Sequence, residues 1–336
     1  MSAPVRRISL ALQGGGAHGA FTWGALDRLL EEDDLEIAAI SGTSAGALNG
    51  AALKAGLVAG GPKAAKAALR RLWDQIAEAS EPQLGPWLGA MLPWLKAASG
   101  LVPVSGAGIA AQLVSPYAFP GWANPLEPVV RAFDFSQVCD GRGPELHISA
   151  TSVHTGRIRV FSGTAVTPEA LMASACLPTL FQAVEIEGEP YWDGGFSGNP
   201  ALFPLYQPNL PDDIVIVQIN PLERRSLPTT PLEIQDRMNE ISFNAALLGE
   251  LRAIAFVRRL IAEGRMEPGR MKNVHTHLIA DDKVMNALSA DSKMMPDAAL
   301  IDKLFKAGRR AAAGFLRAHG DKIGREASLD IGALLH

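Results

Sequence analysis

Residues 37–53, IAAISGTSAGALNGAAL, constrain this chain more than any other stretch. The apolar run 37–41 reads as a buried strand, and the small residues from Ala45 onward read as a helix. Between them, Gly42-Thr43-Ser44-Ala45-Gly46 spells G-x-S-x-G, the pattern of a strand-to-helix elbow that thrusts a serine hydroxyl outward. Such a turn leaves room only for glycine two residues before and two after the serine. The helix behind it aims free N–H groups at the hydroxyl, which favours negative charge developing there. In a chain with 33 glycines the pattern alone says little. Its place between a strand and a helix carries the argument, against the plainer reading of a glycine-rich turn packed tightly for steric reasons.

The rest of the composition narrows the class. With 336 residues, 48% of them hydrophobic, the chain is long enough for one large α/β domain or two small ones and can fill a sizeable core without staples. Its 31 basic and 35 acidic residues are well mixed and leave a net charge of -4, so nucleic acid is not an expected partner. Cys139 and Cys176 are too few for a disulfide framework or a zinc site, which suits a reducing compartment. Residues 8–12 are too short for the core of a signal peptide, and no run approaches membrane-spanning length. The expectation is a cytoplasmic protein, at most peripheral at a membrane surface, with no metal and no cofactor.

Residues 8–12 read as a first buried strand, followed by Gln13-Gly14-Gly15-Gly16-Ala17-His18-Gly19 and a helix through Leu30. The second strand delivers Ser44, and Pro62 opens a further helix to about Glu78. Two successive βα units with short connections predict a mostly parallel, doubly covered sheet. From Pro82 to Pro128 prolines and glycines recur every few residues, and Trp87, Trp94 and Trp122 cluster there. This stretch is either a lid or acyl-chain-facing surface at a lipid interface, with Trp87 and Trp94 the lid candidates, or an Ω-like loop packed over the core.

Strands resume at 146–153 and 157–162, and Thr167-Pro168-Glu169 starts a helix that closes at Pro178. A hairpin around Gly188 ends in Asp193-Gly194-Gly195. Residues 213–220 form another buried strand. Thr230-Pro231-Leu232-Glu233 is a capping box opening a long helix, with Ile234, Met238, Ile241, Leu248, Leu251, Ile254 and Leu260 as its core-facing stripe. Residues 274–280 are a last strand and 298–317 a last helix.

Serine hydrolysis needs a nucleophile, a base and an oxyanion hole. Ser44 is the nucleophile candidate. Gly14, Gly15 and Gly16 can set backbone N–H groups side by side with no Cβ in the way, so they are assigned to the oxyanion hole together with the Ala45 N–H. Asp193 follows an aromatic strand end and precedes two glycines that allow a sharp turn toward the serine. A carboxylate in a desolvated site is a stronger base than one in water, so the pair can work without histidine. Asp-Gly-Gly on its own is also simply a turn.

Taken in order, Gly14-Gly15-Gly16-Ala17-His18-Gly19, Gly42 to Gly46, Ala173-Ser174-Ala175-Cys176-Leu177-Pro178, and Asp193-Gly194-Gly195 with Asn199-Pro200 resemble the motif set of patatin-like phospholipases. The resemblance implies a three-layer patatin-like α/β fold with a mostly parallel central sheet flanked by helices. It places a catalytic core at residues 8–205, with 206–336 completing or covering the same domain. It also implies a Ser44–Asp193 dyad, an oxyanion hole at the Gly14 loop, and metal-free hydrolysis of lipid carboxyl esters. The family usually has arginine or lysine where this chain has His18, a departure that leaves the backbone N–H argument intact and puts charged assistance there in question. Glu240-Ile241-Ser242-Phe243-Asn244 is similar to bacterial members, without an implied role.

Three other readings stand beside this one. Gly14-x-Gly16-x-x-Gly19 fits a dinucleotide-binding oxidoreductase, although the acidic residue expected at the end of the second strand is replaced by Ser41-Gly42-Thr43-Ser44. An α/β-hydrolase triad would run Ser44, Asp193, then His275 or His277, residues that also read as structural within a strand. A catalytically silent lipid-binding protein on the same fold is the third.

Overall fold

The computed structural model describes residues 5–80, 116–118, 124–178, 180–224, 226–267, 269–288, 290–293 and 296–335. β1 (Arg6–Leu12) is fully buried at Ile8, Leu10, Ala11 and Leu12, so it requires cover on both faces and partners on both edges. It pairs in parallel with β2 (Leu35–Gly42) on one side and β7 (Asp213–Val217) on the other. β2 continues in parallel to β3 (Glu145–Ser152), and β7 to β8 (His275–Ile279). The parallel body therefore runs β3-β2-β1-β7-β8, with β7 and β8, from beyond residue 206, extending the sheet that β1 begins. Three antiparallel strands, β4 (Ile158–Ser162), β5 (Val184–Ile186) and β6 (Glu189–Asp193), join it through β3 and bring it to eight strands among the described residues.

Helices cover both faces. Ile8, Leu10 and Leu12 of β1 share a core with α1 (Gly19–Leu29), with α2 (Ala45–Ser80) and with Leu304 and Phe315 of α5 (Ala298–His319). Ala11, on the other face of the strand, packs with Ile214, Ile216 and with Leu247, Leu251 and Ile254 of α4 (Pro231–Ala262). α2 is broken at Gly60-Gly61, where Gly61 adopts φ +70°, and Pro62 opens the second half. α3 (Pro168–Ser174) is capped by the Thr167 hydroxyl. The Thr230–Glu233 capping box forms at the start of α4 as its sequence predicts.

One expected face is corrected in its first half. Ile234, Met238 and Ile241 of α4 are 43, 62 and 55% exposed, while Leu251 and Ile254 of the same expected stripe are buried, together with Phe243 and Leu247. Two stripes on this helix are apolar at helical spacing, so periodicity alone could not choose between them. The buried stripe also carries Glu240 and Asn244, polar residues that hydropathy assigns to the outside. Trp87, Trp94 and Trp122, the lid and interface candidates, lie outside the described residues.

Candidate active site

Ser44 sits where β2 turns into α2, at φ +54°. That left-handed conformation costs a non-glycine residue about 1–2 kcal/mol and persists only when its surroundings enforce it. The enforcement is steric: a Cβ on Gly42 would stand 2.6 Å from the Gly46 carbonyl oxygen, and one on Gly46 2.1 Å from that of Leu12. Ser44 is held from below as well, its N–H donating to the Ser174 hydroxyl at the end of α3 (2.9 Å). The Gly46 and Ala47 N–H groups at the start of α2 donate to the Thr43 and Ser44 carbonyls (2.8 and 2.9 Å), which leaves the Ala45 amide as the one at the turn.

Asp193 reaches the same place by strand exchange. β2 ends with Gly42 opposite Ile148 of β3, and two residues on, Ala150 pairs with Asp193. β4 fills the other edge of β3, so β6 takes over the edge that β2 has just vacated. The aspartate thus arrives at the elbow from the opposite direction. Its turn is fixed by the Thr151 hydroxyl on its carbonyl (2.9 Å), by its own N–H to the Cys176 carbonyl (2.7 Å), and by the Gly195 N–H on Oδ1 (2.7 Å). Residues 174–176 therefore touch both partners, Ser44 through Ser174 and Asp193 through Cys176.

The Asp193 side chain is buried, and burial pushes its carboxyl up to about 7. The Gly195 amide and the Ser44 hydroxyl pull in the opposite direction and are outweighed. Ser44 is thus near enough to favour the charged form, yet Oδ2 closes no hydrogen bond of ordinary geometry among the described residues. The Cys176 thiol beside it is raised to about 12 by burial and by the aspartate charge, which keeps it protonated.

The glycine loop crosses directly over the serine. A Cβ on Gly14 would lie 2.6 Å from Cβ of Ser44 and 2.7 Å from the Thr43 carbonyl oxygen. The Gly14 N–H, expected in the oxyanion hole, donates instead to Oδ1 of Asn199 (2.7 Å). Its amide is already used, so Gly14 contributes closeness and not a donor. Gly15 and Gly16 follow, Gly16 exposed and at φ +59°.

Beneath the loop lies a buried amide network that the sequence reading missed. Oε1 of Gln13 accepts from the Ile219 and Asn220 N–H groups (2.9 and 3.0 Å), and its Nε2 donates to Asn244 Oδ1 (3.1 Å). Asn220 Nδ2 donates to the Gly14 carbonyl (2.7 Å). The available signal was a glutamine and an asparagine at the ends of otherwise apolar strands, where an unpaired amide would be costly.

His18 is buried, with Nε2 2.8 Å from the Ser292 hydroxyl. Burial, aided by the Lys293 charge, lowers its pKa to about 3, so the imidazole is neutral and position 18 carries no charge. His277 is fully buried, with Nε2 against Asp213 (2.9 Å) and Nδ1 against the Ser328 hydroxyl (2.8 Å). His275 lies against the same carboxylate at 3.7 Å. Both histidines thus belong to Asp213, not Asp193, which removes the triad reading. The glycines that would approach a pyrophosphate in a dinucleotide site are pressed here against Ser44 and the Lys293 backbone. Among the described residues, no group of three or more His, Cys, Asp or Glu side chains is placed to hold a metal ion.

A strand-to-helix serine elbow facing a buried aspartate and a glycine loop, on an α/β sheet with helices on both faces, defines the class. The family model for patatin-like phospholipase matches residues 10–206, more than half of the chain. The chain belongs to the patatin-like phospholipase family, which makes it a lipolytic carboxylic ester hydrolase. No curated protein matches it. Among solved structures it is similar to VipD from Legionella pneumophila at 16% identity and TM-score 0.42, covering 95% of this chain and 68% of that one. It is also similar to ExoU in its heterodimer with SpcU, from the type III secretion system of Pseudomonas aeruginosa. That match has 18% identity and TM-score 0.36, and covers 94% of this chain and 52% of the other. The chain thus spans about half the length of the ExoU chain it matches. No described helix is long and apolar enough to cross a membrane.

Proposed function

We propose that this chain hydrolyses acyl esters of lipids through an acyl-enzyme on Ser44, with Asp193 as the general base and the Gly15, Gly16 and Ala45 amides as the oxyanion hole. The observation that carries the reading is a fully buried carboxyl, raised to about 7, beside a serine held at positive φ. A base near neutrality combines a useful ionised fraction with real proton affinity, which the carboxylate of a surface aspartate lacks.

Asp193 takes the Ser44 proton as Oγ attacks the ester carbonyl. The tetrahedral oxyanion forms beneath the glycine loop and beside the first amide of α2, where aligned N–H dipoles stabilise it. Collapse expels the alkoxide, which receives the proton from Asp193. Water, deprotonated by the same carboxylate, then attacks the acyl group, and a second collapse releases the fatty acid and restores Ser44.

The test is a panel of p-nitrophenyl esters and phospholipids of graded acyl length, with Ser44→Ala as the blank and a fluorophosphonate probe. Labelling confined to Ser44, with a rate drop of ~10³-fold or more in Ser44→Ala, is the expected result. Turnover by Ser44→Ala equal to that of the parent overturns the proposal.

A further inference from the structure

We infer that Lys293 and Glu240 form a strap that positions the glycine loop over Ser44, so that an ion pair remote from the substrate sets the oxyanion geometry. The inference rests on the Ser44–Asp193 reading above. Glu240 projects from α4 and is 1% exposed. Arg224 grips it with two hydrogen bonds (3.1 and 2.7 Å), Arg237 approaches at 3.3 Å, and the Lys293 ammonium donates to it at 2.9 Å and to Asp236 at 3.2 Å. A buried carboxylate is costly and is tolerated only when its charge is matched, as it is here by three cations. Arg224 and Lys293 hold its pKa down at about 2 in spite of burial, so Glu240 stays ionised at any working pH.

Lys293 couples this cluster to the loop through its backbone. Its carbonyl oxygen stands 2.3 Å from where a Cβ on Gly16 would be, so the strap and the loop meet main chain to main chain. Its neighbour Ser292 meets His18 Nε2 at 2.8 Å. The far side of the loop, from Gly16 to His18, is thus braced by 292–293, while its near side at Gln13 and Gly14 is braced by Asn199, Asn220 and Asn244. Asn244 lies four residues beyond Glu240, one turn along the same buried stripe of α4. A single helix face therefore holds the loop at both ends, which gives Glu240 and Asn244 of the 240–244 motif a role.

Lys293 and Glu240 are positioning residues, since they act through Gly16. Oxyanion donors work only within a few tenths of an ångström of their target, and a misplacement of ~1 Å costs about 10²-fold in rate. The test compares the parent with Lys293→Met, Lys293→Arg and Ser292→Ala. The readouts are kcat and KM on p-nitrophenyl butyrate, the Ki of a trifluoromethyl ketone that mimics the tetrahedral oxyanion, and amide hydrogen exchange at residues 15–17. In Lys293→Met we expect kcat to fall 10- to 100-fold with KM within about threefold, Ki to rise by the same factor, and exchange to quicken at least tenfold. Lys293→Arg should restore most of each.

A purely structural role would lower the amount of fluorophosphonate-titratable enzyme and leave Ki alone. Lys293→Met with parental kcat, Ki and exchange overturns the inference. If that variant does not fold, Ser292→Ala decides, with parental Ki and exchange counting against the strap. A parent protein that neither hydrolyses esters nor labels at Ser44 refutes the function proposed above, and the exchange measurement still decides whether the strap holds the loop.

Discussion

Replacing Asp193 by asparagine should inactivate the chain and, above neutrality, stabilise it. The folded protein raises this carboxyl from 3.8 to about 7 by burying it, so between those values the folded state binds a proton that the unfolded state has released. Stability then falls as pH rises through that window, because the slope follows the protons bound unfolded minus those bound folded. At ~1.4 kcal/mol per pH unit the full effect is ~4 kcal/mol, reached above pH 7 and absent below pH 4. Asparagine keeps an oxygen for the Gly195 amide and carries no charge to desolvate.

Denaturant unfolding of both proteins at pH 4.5 and pH 8 is the assay. The difference between them should grow in favour of Asp193→Asn by roughly 2–4 kcal/mol at the higher pH. In the parent, kcat/KM should fall tenfold per pH unit below about 7 as the base becomes protonated. A variant no more stable than the parent at pH 8, with a parental rate profile flat from pH 5 to 8, would refute the claim that a desolvated carboxylate is the base.

Gly14→Ala places a methyl 2.6 Å from Ser44 Cβ and should cut kcat by ~10²-fold or more, measured on a short-chain ester in protein whose circular dichroism matches the parent. Ser174→Ala leaves the Ser44 amide without its acceptor, so we expect a loss of about 1–3 kcal/mol in unfolding free energy and a lower kcat. His277→Asn breaks the contacts to Asp213 and Ser328 and should lower Tm while leaving kcat per labelled site within about twofold, since both contacts lie outside the Ser44 site.

Much of the fold was legible because the local signals were strong. Residues 8–12 and 37–41 are apolar but for one small serine each, Ser9 and Ser41, as suits strands buried on both faces, and glycines at 42 and 46 leave few alternatives to a tight elbow. The break before Pro62 and the cap at Thr230 were readable for the same reason: each depends on residues within one turn of it. The face of α4 was readable only in its second half, where Leu251 and Ile254 are buried as expected; in the first half Ile234, Met238 and Ile241 keep helical spacing as well as Phe243 and Leu247 do. Nor was the use of Gly14, whose amide looks available until Asn199, 185 residues away, is folded against it.

Alone, the sequence determined that a serine would be presented by a strand-to-helix turn, with glycine backbone at hand and an aspartate at a second turn, because short-range sterics and hydrogen bonding dictate such turns. Only the tertiary structure decided that β6 takes over the edge of β3 where β2 leaves it, which is what carries Asp193 to Ser44. It likewise decided that Asn199 takes the Gly14 amide, which histidines pair with Asp213, and how Glu240 and Lys293 come to brace the loop. Those outcomes depend on the dielectric surroundings and neighbours of each group, and these exist only once distant segments have packed together.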